Sequence, residues 1–358
     1  MSEAKQVRIV GAGLLGTSIG LALTKLGLDV SIESASASSQ ALAVEYGAGR
    51  PASSTDDPTL VVVCVPPDIT ARIAAEKLAE FPNAVVTDVA SIKASIVEEL
   101  RELGADVSRF VGSHPMAGRE KGGAISGRAD LFFGRPWVIT PIAENSEESI
   151  HEVEELAKQL GAVAVKMPSV EHDHAVALVS HVPQVISSLL AARLIDGEDE
   201  EIALAGQGLR DTTRIAASDP KLWTQILSGN RKPVLGILKK FERDLNSLIE
   251  ALENPSGSGA LTAINATIDA GNRGVARIPG KHGSKAMSYA AVVVMIDDKP
   301  GSFANLLNAI GDANINIEDL KLEHSPGAQI GLVELQVLPS SVEKLTNELT
   351  AKGWRIAG

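Results

Sequence analysis

The six residues Gly11-Ala12-Gly13-Leu14-Leu15-Gly16 follow an apolar run, Val7 to Val10, and open a segment of helical spacing that continues to about Lys25. A G-x-G-x-x-G turn in that setting restricts the chain to a strand, a tight turn and a helix packed back on the strand. Gly11 admits the turn, Gly13 lets the backbone approach a pyrophosphate at the helix N-terminus, and Gly16 allows close helix-to-strand packing. Leu14 and Leu15 complete the loop that faces the cofactor. Glu33 ends the next strand-like run twenty residues after Gly13, the spacing at which an acid holds the ribose hydroxyls of NAD and repels a 2′-phosphate. The serine-rich run from Ser34 to Ser39 could hydrogen-bond a phosphate instead, but no Lys or Arg accompanies it, so NAD is expected over NADP.

From Val7 to about Met167, valine- and isoleucine-rich runs (Val7 to Val10, Val30 to Ile32, Leu60 to Val65, Ala84 to Thr87, Trp137 to Thr140, Val163 to Val165) alternate with helix-like stretches. The alternation predicts an α/β Rossmann domain over residues 1–168, doubly wound around a mainly parallel sheet. After Pro168 the strand pattern stops. Glu171 to Ile195, Glu200 to Ala217, Pro220 to Leu252 and Ala260 to Asn272 carry helical spacing, so residues 169–280 are expected to form an all-helical domain. The Gly/Lys/Ser-rich stretch Ile278 to Met287 reads as a tether. Beyond it, residues 288–358 show the order βαββαβ, which predicts a small four-stranded sheet with two helices on one face.

Composition narrows the partners. A net charge of −12 and an aromatic content of 3% remove both the basic footprint and the stacking platforms that nucleic-acid binding needs. An anionic substrate must therefore be held locally, by helix N-termini or a few arginines. There is no run of about 18 uncharged apolar residues to span a membrane. The N-terminus shows no basic segment followed by an apolar stretch and a cleavage site, so a cytoplasmic protein is expected. The single cysteine, Cys64, lies in an apolar run and reads as a buried, inert thiol.

His114 stands on a Pro/Gly-framed loop, Gly112 to Lys121, just after the strand-like Phe110 to Gly112. Open α/β sheets bind ligands at that end of their strands. A neutral imidazole there can accept the proton of a hydroxyl while a hydride passes to a nicotinamide. A packing histidine is the plain alternative. His172, His174 and His181 raise a metal site as a rival, but no cysteine and no pair at i, i+4 supports it, and no metal is expected.

The segments GSHPMAGREKGG, VTDVASIK, HDHAVALVSHVPQV and GLRDTTRIAASDPKLW together resemble the prephenate and arogenate dehydrogenases of tyrosine biosynthesis, from the first strand to about Asn272. The C-terminal segment resembles an ACT domain, with Asp297 to Ser302 joining a strand to a helix and Ala313 to Glu318 turning back into a strand. The resemblance implies oxidative decarboxylation: hydride leaves the ring carbon bearing the hydroxyl, carbon dioxide is lost and the ring becomes aromatic. It implies that His114 is the catalytic histidine and that Ser91 hydrogen-bonds the same hydroxyl and its histidine. Glu120 would help gate the pocket, His181 would lie near a substrate carboxylate, and Arg214 would grip a carboxylate with its planar fork. Trp223 would pack near the site or the subunit interface. Arg119 stands where many relatives carry a small or uncharged residue; a positive charge there would favour the keto acid side chain of prephenate over the ammonium of arogenate. The helical domain is expected to form a homodimer. The ACT-like domain would expose N–H groups beside Gly301 to an amino acid effector, with tyrosine first to test.

Two further classes stay open on the residues. A 3-hydroxy acid dehydrogenase shares Rossmann-plus-helices architecture and would use a lysine such as Lys221 or Lys232. A non-catalytic sensor would keep the nucleotide site alone.

Overall fold

The structure, a computed structural model, describes residues 5–118, 122–279, 289–324 and 330–357. Contacts divide the chain into two compact units, Met1–Glu242 and Arg243–Gly358.

The first unit is built on eight strands: β1 (Gln6–Val10), β2 (Asp29–Glu33), β3 (Arg50–Pro51), β4 (Leu60–Val63), β5 (Val85–Asp88), β6 (Phe110–Pro115), β7 (Pro136–Thr140) and β8 (Val163–Lys166). They lie in the order β3-β2-β1-β4-β5-β6-β7-β8. The helices between them are α1 (Leu14–Lys25), α2 (Ala37–Glu45), α3 (Pro67–Glu80), α4 (Ala94–Glu102) and α5 (Glu147–Gln159). Strands β1 to β6 pair in parallel, whereas β6 and β7 are antiparallel and β7 and β8 parallel to each other. Two apolar clusters cover the faces, one joining Ile9, Ile19 and Ile32 with Trp137 and Leu156, the other Val61 and Val63 with Leu78, Ile96 and Phe110. Near-continuous apolar strands such as Leu60–Val63 are what burial on both faces demands.

The antiparallel pairing corrects the position of His114. It is a strand residue, not a loop residue: β6 runs on to Pro115, and His114 stands opposite Val138. Pairing with β7 extends β6 past the point where its parallel neighbour β5 stops, and that partner is remote in sequence.

The helical stretch holds α6 (Ser169–Val176), α7 (Val182–Ala192), α8 (Asp199–Ile202), α9 (Gln207–Thr213), α10 (Pro220–Gly229) and α11 (Arg231–Glu253). Glu200 to Ala217 is interrupted at Leu204 to Gly206, and Pro220 to Leu252 breaks at Asn230. A π-helical turn, Ala177–His181, joins α6 to α7. It lies just before Pro183, which has no N–H to offer Val179. The extra residue in that turn rotates the register, so that His174 is exposed and His181 buried, and the two do not share a face.

The second unit contains α12 (Ala260–Val275), β9 (Ala290–Asp297), α13 (Ser302–Asp312), β10 (Asp319–His324), β11 (Ile330–Val337), α14 (Val342–Ala351) and β12 (Arg355–Ala357). The four strands form an antiparallel sheet ordered β10-β11-β9-β12. Strict alternation along β11 buries Val333, Leu335 and Val337 against Leu306, Ile310, Leu345 and Leu349 of the two helices. The division between the units falls at residues 242 and 243 rather than in the stretch from Ile278 to Met287, most of which lies outside the described residues. Residues 241–247 of α11 are all exposed, so little packing ties that part of the helix down.

Candidate active site

The glycine turn has the geometry a pyrophosphate requires. Gly11 adopts φ +112°, and a Cβ there would meet the Cys64 carbonyl oxygen at 2.3 Å. A Cβ on Gly16 would stand 1.9 Å from the Gly11 oxygen. At Gly13, by contrast, no described atom lies within 4 Å of the position a Cβ would take. Gly13 is the N-cap of α1 and no side chain caps that helix, so open space meets unpaired N–H groups at the positive end of a helix. Leu14 and Leu15 form the first turn of α1. These residues fit the pyrophosphate of a dinucleotide. Cys64 lies beneath this turn, and its burial pushes the thiol pKa upward, out of the reactive range.

Glu33 is engaged in a way its spacing did not reveal. Lys77 Nζ donates to both carboxylate oxygens, at 2.7 and 2.8 Å, and Arg8 adds a bond at 2.9 Å. Burial opposes the charge, but the two cations hold the Glu33 carboxyl below its ordinary pKa. Its negative charge is therefore shared with Lys77 and Arg8 before any ribose arrives.

At the carboxyl end of the sheet a chain of polar side chains begins at His114. Its Nδ1 lies 2.8 Å from His172 Nε2, and the rings meet edge to face. His172 Nδ1 lies 2.8 Å from Asp173 Oδ1. The Asp173 carboxylate accepts from the backbone N–H groups of Lys93 and Ala94, both at 2.9 Å, and so caps α4 from another helix. Asn230 Nδ2 donates to the Asp173 carbonyl at 2.7 Å and lies 3.0 Å from His181 Nδ1. The His181 ring in turn meets Trp223 edge to face at 6.0 Å. Below His114, the fully buried Lys93 ammonium bonds Asp88 and, at 2.7 Å, the Ser113 carbonyl.

Burial, the neighbouring His172 and the Lys93 charge all push the His114 pKa well below 6.5, so the ring is neutral near pH 7. His181 is lowered to about 4, chiefly by burial. It is uncharged at neutral pH, and its Nδ1 is committed to Asn230.

A cleft of about 710 Å³ adjoins this chain, lined by Gly118, Ser180, Gln184, Arg214, Ser218 and Trp223 among others. Gly118 lies four residues beyond His114. Arg214, at the end of α9, thus shares a cleft with Trp223. His181 is not among the lining residues; its helix neighbours Ser180 and Gln184 are. Ser91 is half-buried in the turn after β5. Among the described residues no hydrogen bond joins it to His114, and the cap of α4 is Asp173. Arg119 and Glu120 lie outside the described residues.

Among the described residues no three His, Cys, Asp or Glu side chains converge to hold a metal. His172 spends both ring nitrogens on Asp173 and His114, and His181 spends its Nδ1 on Asn230. Lys221 and Lys232 are both exposed. What spacing overlooked is the role of His172, and the residues Asp173, Asn230, Lys93 and Gln184. For His172 and Asp173 the signal was an adjacent His-Asp pair just ahead of the apolar run Ala175 to Val179, where buried charge requires a partner.

Two family models match the chain: the nucleotide-binding domain of prephenate dehydrogenase over residues 19–166, and the dimerization domain of prephenate dehydrogenase over residues 168–264. The chain is 34% identical over 353 residues to NovF of Streptomyces niveus, named a probable prephenate dehydrogenase, covering 97% of this chain and 98% of that protein. The crystal structure of Aquifex aeolicus prephenate dehydrogenase, in complex with hydroxyphenyl propionate and NAD+, is 27% identical with a TM-score of 0.66, covering 76% of this chain and 99% of that one. Synechocystis arogenate dehydrogenase is 26% identical with a TM-score of 0.61, covering 75% of this chain and 99% of that one.

Proposed function

The chain belongs to the prephenate dehydrogenase family, and on that premise we propose that it converts prephenate to 4-hydroxyphenylpyruvate, with His114 as the base. The observation that carries the reading is a neutral His114 fixed in β6, four residues before the loop position that borders the Arg214 cleft. NAD, held at Gly11, Gly13 and Gly16, supplies the hydride acceptor. His114 takes the proton of the ring hydroxyl as the carbon–hydrogen bond breaks. Loss of carbon dioxide then feeds its electron pair into the ring, and the ring oxygen recovers the proton from His114. Atoms and charge balance, and aromatisation makes the step irreversible. Arg214 offers a two-point contact to a substrate carboxylate, Gln184 and Ser218 offer hydrogen bonds, and Trp223 forms a wall. Ser91 serves the hydroxyl once substrate is present, and Glu120 gates the pocket.

We assign the residues to a Rossmann domain (1–168), a helical domain (169–280) that runs across the 242/243 division between the compact units, and an ACT-like domain (288–358). The helical stretch Ser169–Asp196 is long and apolar enough by length and composition to cross a membrane. Yet His172, Asp173 and His181 in it are buried and paired within the chain, which does not suit a lipid-facing helix. Leu178, Val179, Leu189 and Ile195, 60–84% exposed, are instead covered by a second copy in a homodimer. This reading is supported by the dimerization-domain match, and the enzyme acts in the cytoplasm. In the C-terminal domain, Gly301 at φ +88° caps α13 without a side chain, which suits the carboxylate of tyrosine as effector.

Formation of reduced nicotinamide by the full chain, with prephenate and arogenate crossed with NAD and NADP, with and without tyrosine, tests these points. Turnover of prephenate with NAD that His114→Asn abolishes is the expected result; no turnover of either substrate overturns it. Arg119→Ala should raise KM for prephenate selectively, and an unchanged substrate ratio would remove Arg119 from the pocket.

A further inference from the structure

We propose that His172 and Asp173 are positioning residues that fix the tautomer of His114, placing its proton on Nδ1 and its lone pair on Nε2. The inference rests on His114 being the base, and deepens that reading. The direction of each bond follows from its far end. Both oxygens of the Asp173 carboxylate accept backbone N–H bonds, from Lys93 and Ala94 at the N-terminus of α4, so each is placed as an acceptor. His172 Nδ1, at 2.8 Å, must then carry a proton. With that proton in place, His172 Nε2 presents a lone pair, and the 2.8 Å contact to His114 Nδ1 requires the donor to be His114.

A second proton on His172 would reverse the last bond. It would also create a cation in a fully buried position, near a Lys93 ammonium that already acts on both Asp173 and His114. The arrangement with a single proton on His172 places no such cation in the interior. The frame cannot drift to accommodate that cation either. His114 is held in β6 opposite Val138, and the Asp173 main chain is held by the Asn230 amide. The only unprotonated nitrogen of His114 is then Nε2, the one a base requires. A ring without this partner relaxes toward the Nε2–H form, which has no lone pair to offer on that side.

The test reads the tautomer directly. In full-length protein carrying nitrogen-15 histidine, without substrate and at pH 7.5, long-range proton–nitrogen correlation should show His114 with a protonated Nδ1 and a bare Nε2; His114→Asn assigns the signal. His172→Leu should move the signal toward Nε2–H and lower kcat on prephenate about a hundredfold, with KM changed less than about threefold. His172→Gln, whose amide oxygen can accept the same bond, should recover kcat to within about tenfold of the unaltered protein. A protonated Nε2 in the unaltered protein overturns the proposal, as does a Gln variant no better than Leu. Should the Leu variant fail to fold, the spectrum of the unaltered protein still decides. A protein with the stated tautomer that leaves prephenate untouched would refute the assigned reaction and not this inference.

Discussion

Gly16 and Gly11 touch across the first turn of the sheet so closely that a Cβ on Gly16 would stand 1.9 Å from the Gly11 carbonyl oxygen. Gly13, between them, faces open space instead. The three glycines therefore separate into two that close the turn and one that leaves room for a ligand. Gly16→Ala should destabilise the protein by about 3 kcal/mol or more, since backbone must move. Gly13→Ala should melt within about 2 °C of the unaltered protein while weakening NAD binding about tenfold or more. Thermal melts and NAD titration check both, and equal losses of stability in the two variants would contradict the division.

The pH dependence of catalysis follows from the His114 environment. Burial and the neighbouring Lys93 charge favour the neutral ring, so the base form persists below the pH at which a free histidine protonates. The acid limb of kcat/KM for prephenate should accordingly have its midpoint below 6.5, and rate should be lost only on further acidification. A midpoint at or above 6.5 would mean that another group controls the limb.

The fold was readable in sequence wherever the signal was local. The glycine turn, the apolar strands and the alternation along β11 each announce themselves within about ten residues. The site was readable only in pieces. His114 looked like a loop residue because its strand partner, Val138, lies 24 positions on and pairs in the opposite sense. His172 looked like a possible metal ligand because spacing cannot say that its two ring nitrogens are taken by Asp173 and His114. Glu33 fell at the right distance from Gly13, but the ion pair with Lys77 crosses 44 residues and leaves no local trace. Contacts made by folding, rather than by neighbouring sequence, account for each of these differences.

Lys93 and Asp88 are both almost wholly buried and bonded to each other, with the ammonium also bonded to the Ser113 carbonyl. Removing one partner strands the other's charge in a low-dielectric interior. Lys93→Met should therefore cost about 3–5 kcal/mol. A double-mutant cycle with Asp88→Leu should show a coupling of about 2 kcal/mol or more, because the second change removes the stranded charge. Additive losses in urea denaturation would show that the pair does not act as a unit.

His181 couples folding to pH. Its folded pKa, about 4, lies below the ordinary 6.5, so between those values the unfolded chain binds the proton and the folded protein does not. The stabilising contribution is full above pH 6.5 and is lost as pH falls toward 4, by about 3 kcal/mol in all. His181→Gln cannot titrate, and its amide oxygen can still accept from Asn230, which now bonds the ring nitrogen at 3.0 Å. At pH 7.5 the variant should be less stable, since it loses the edge contact with Trp223. The gap should narrow steadily as denaturation is repeated at pH 6, 5 and 4.5, because only the histidine form pays the protonation penalty. A gap that stays constant across that range would show that the ring titrates in the folded protein as it does in the unfolded chain.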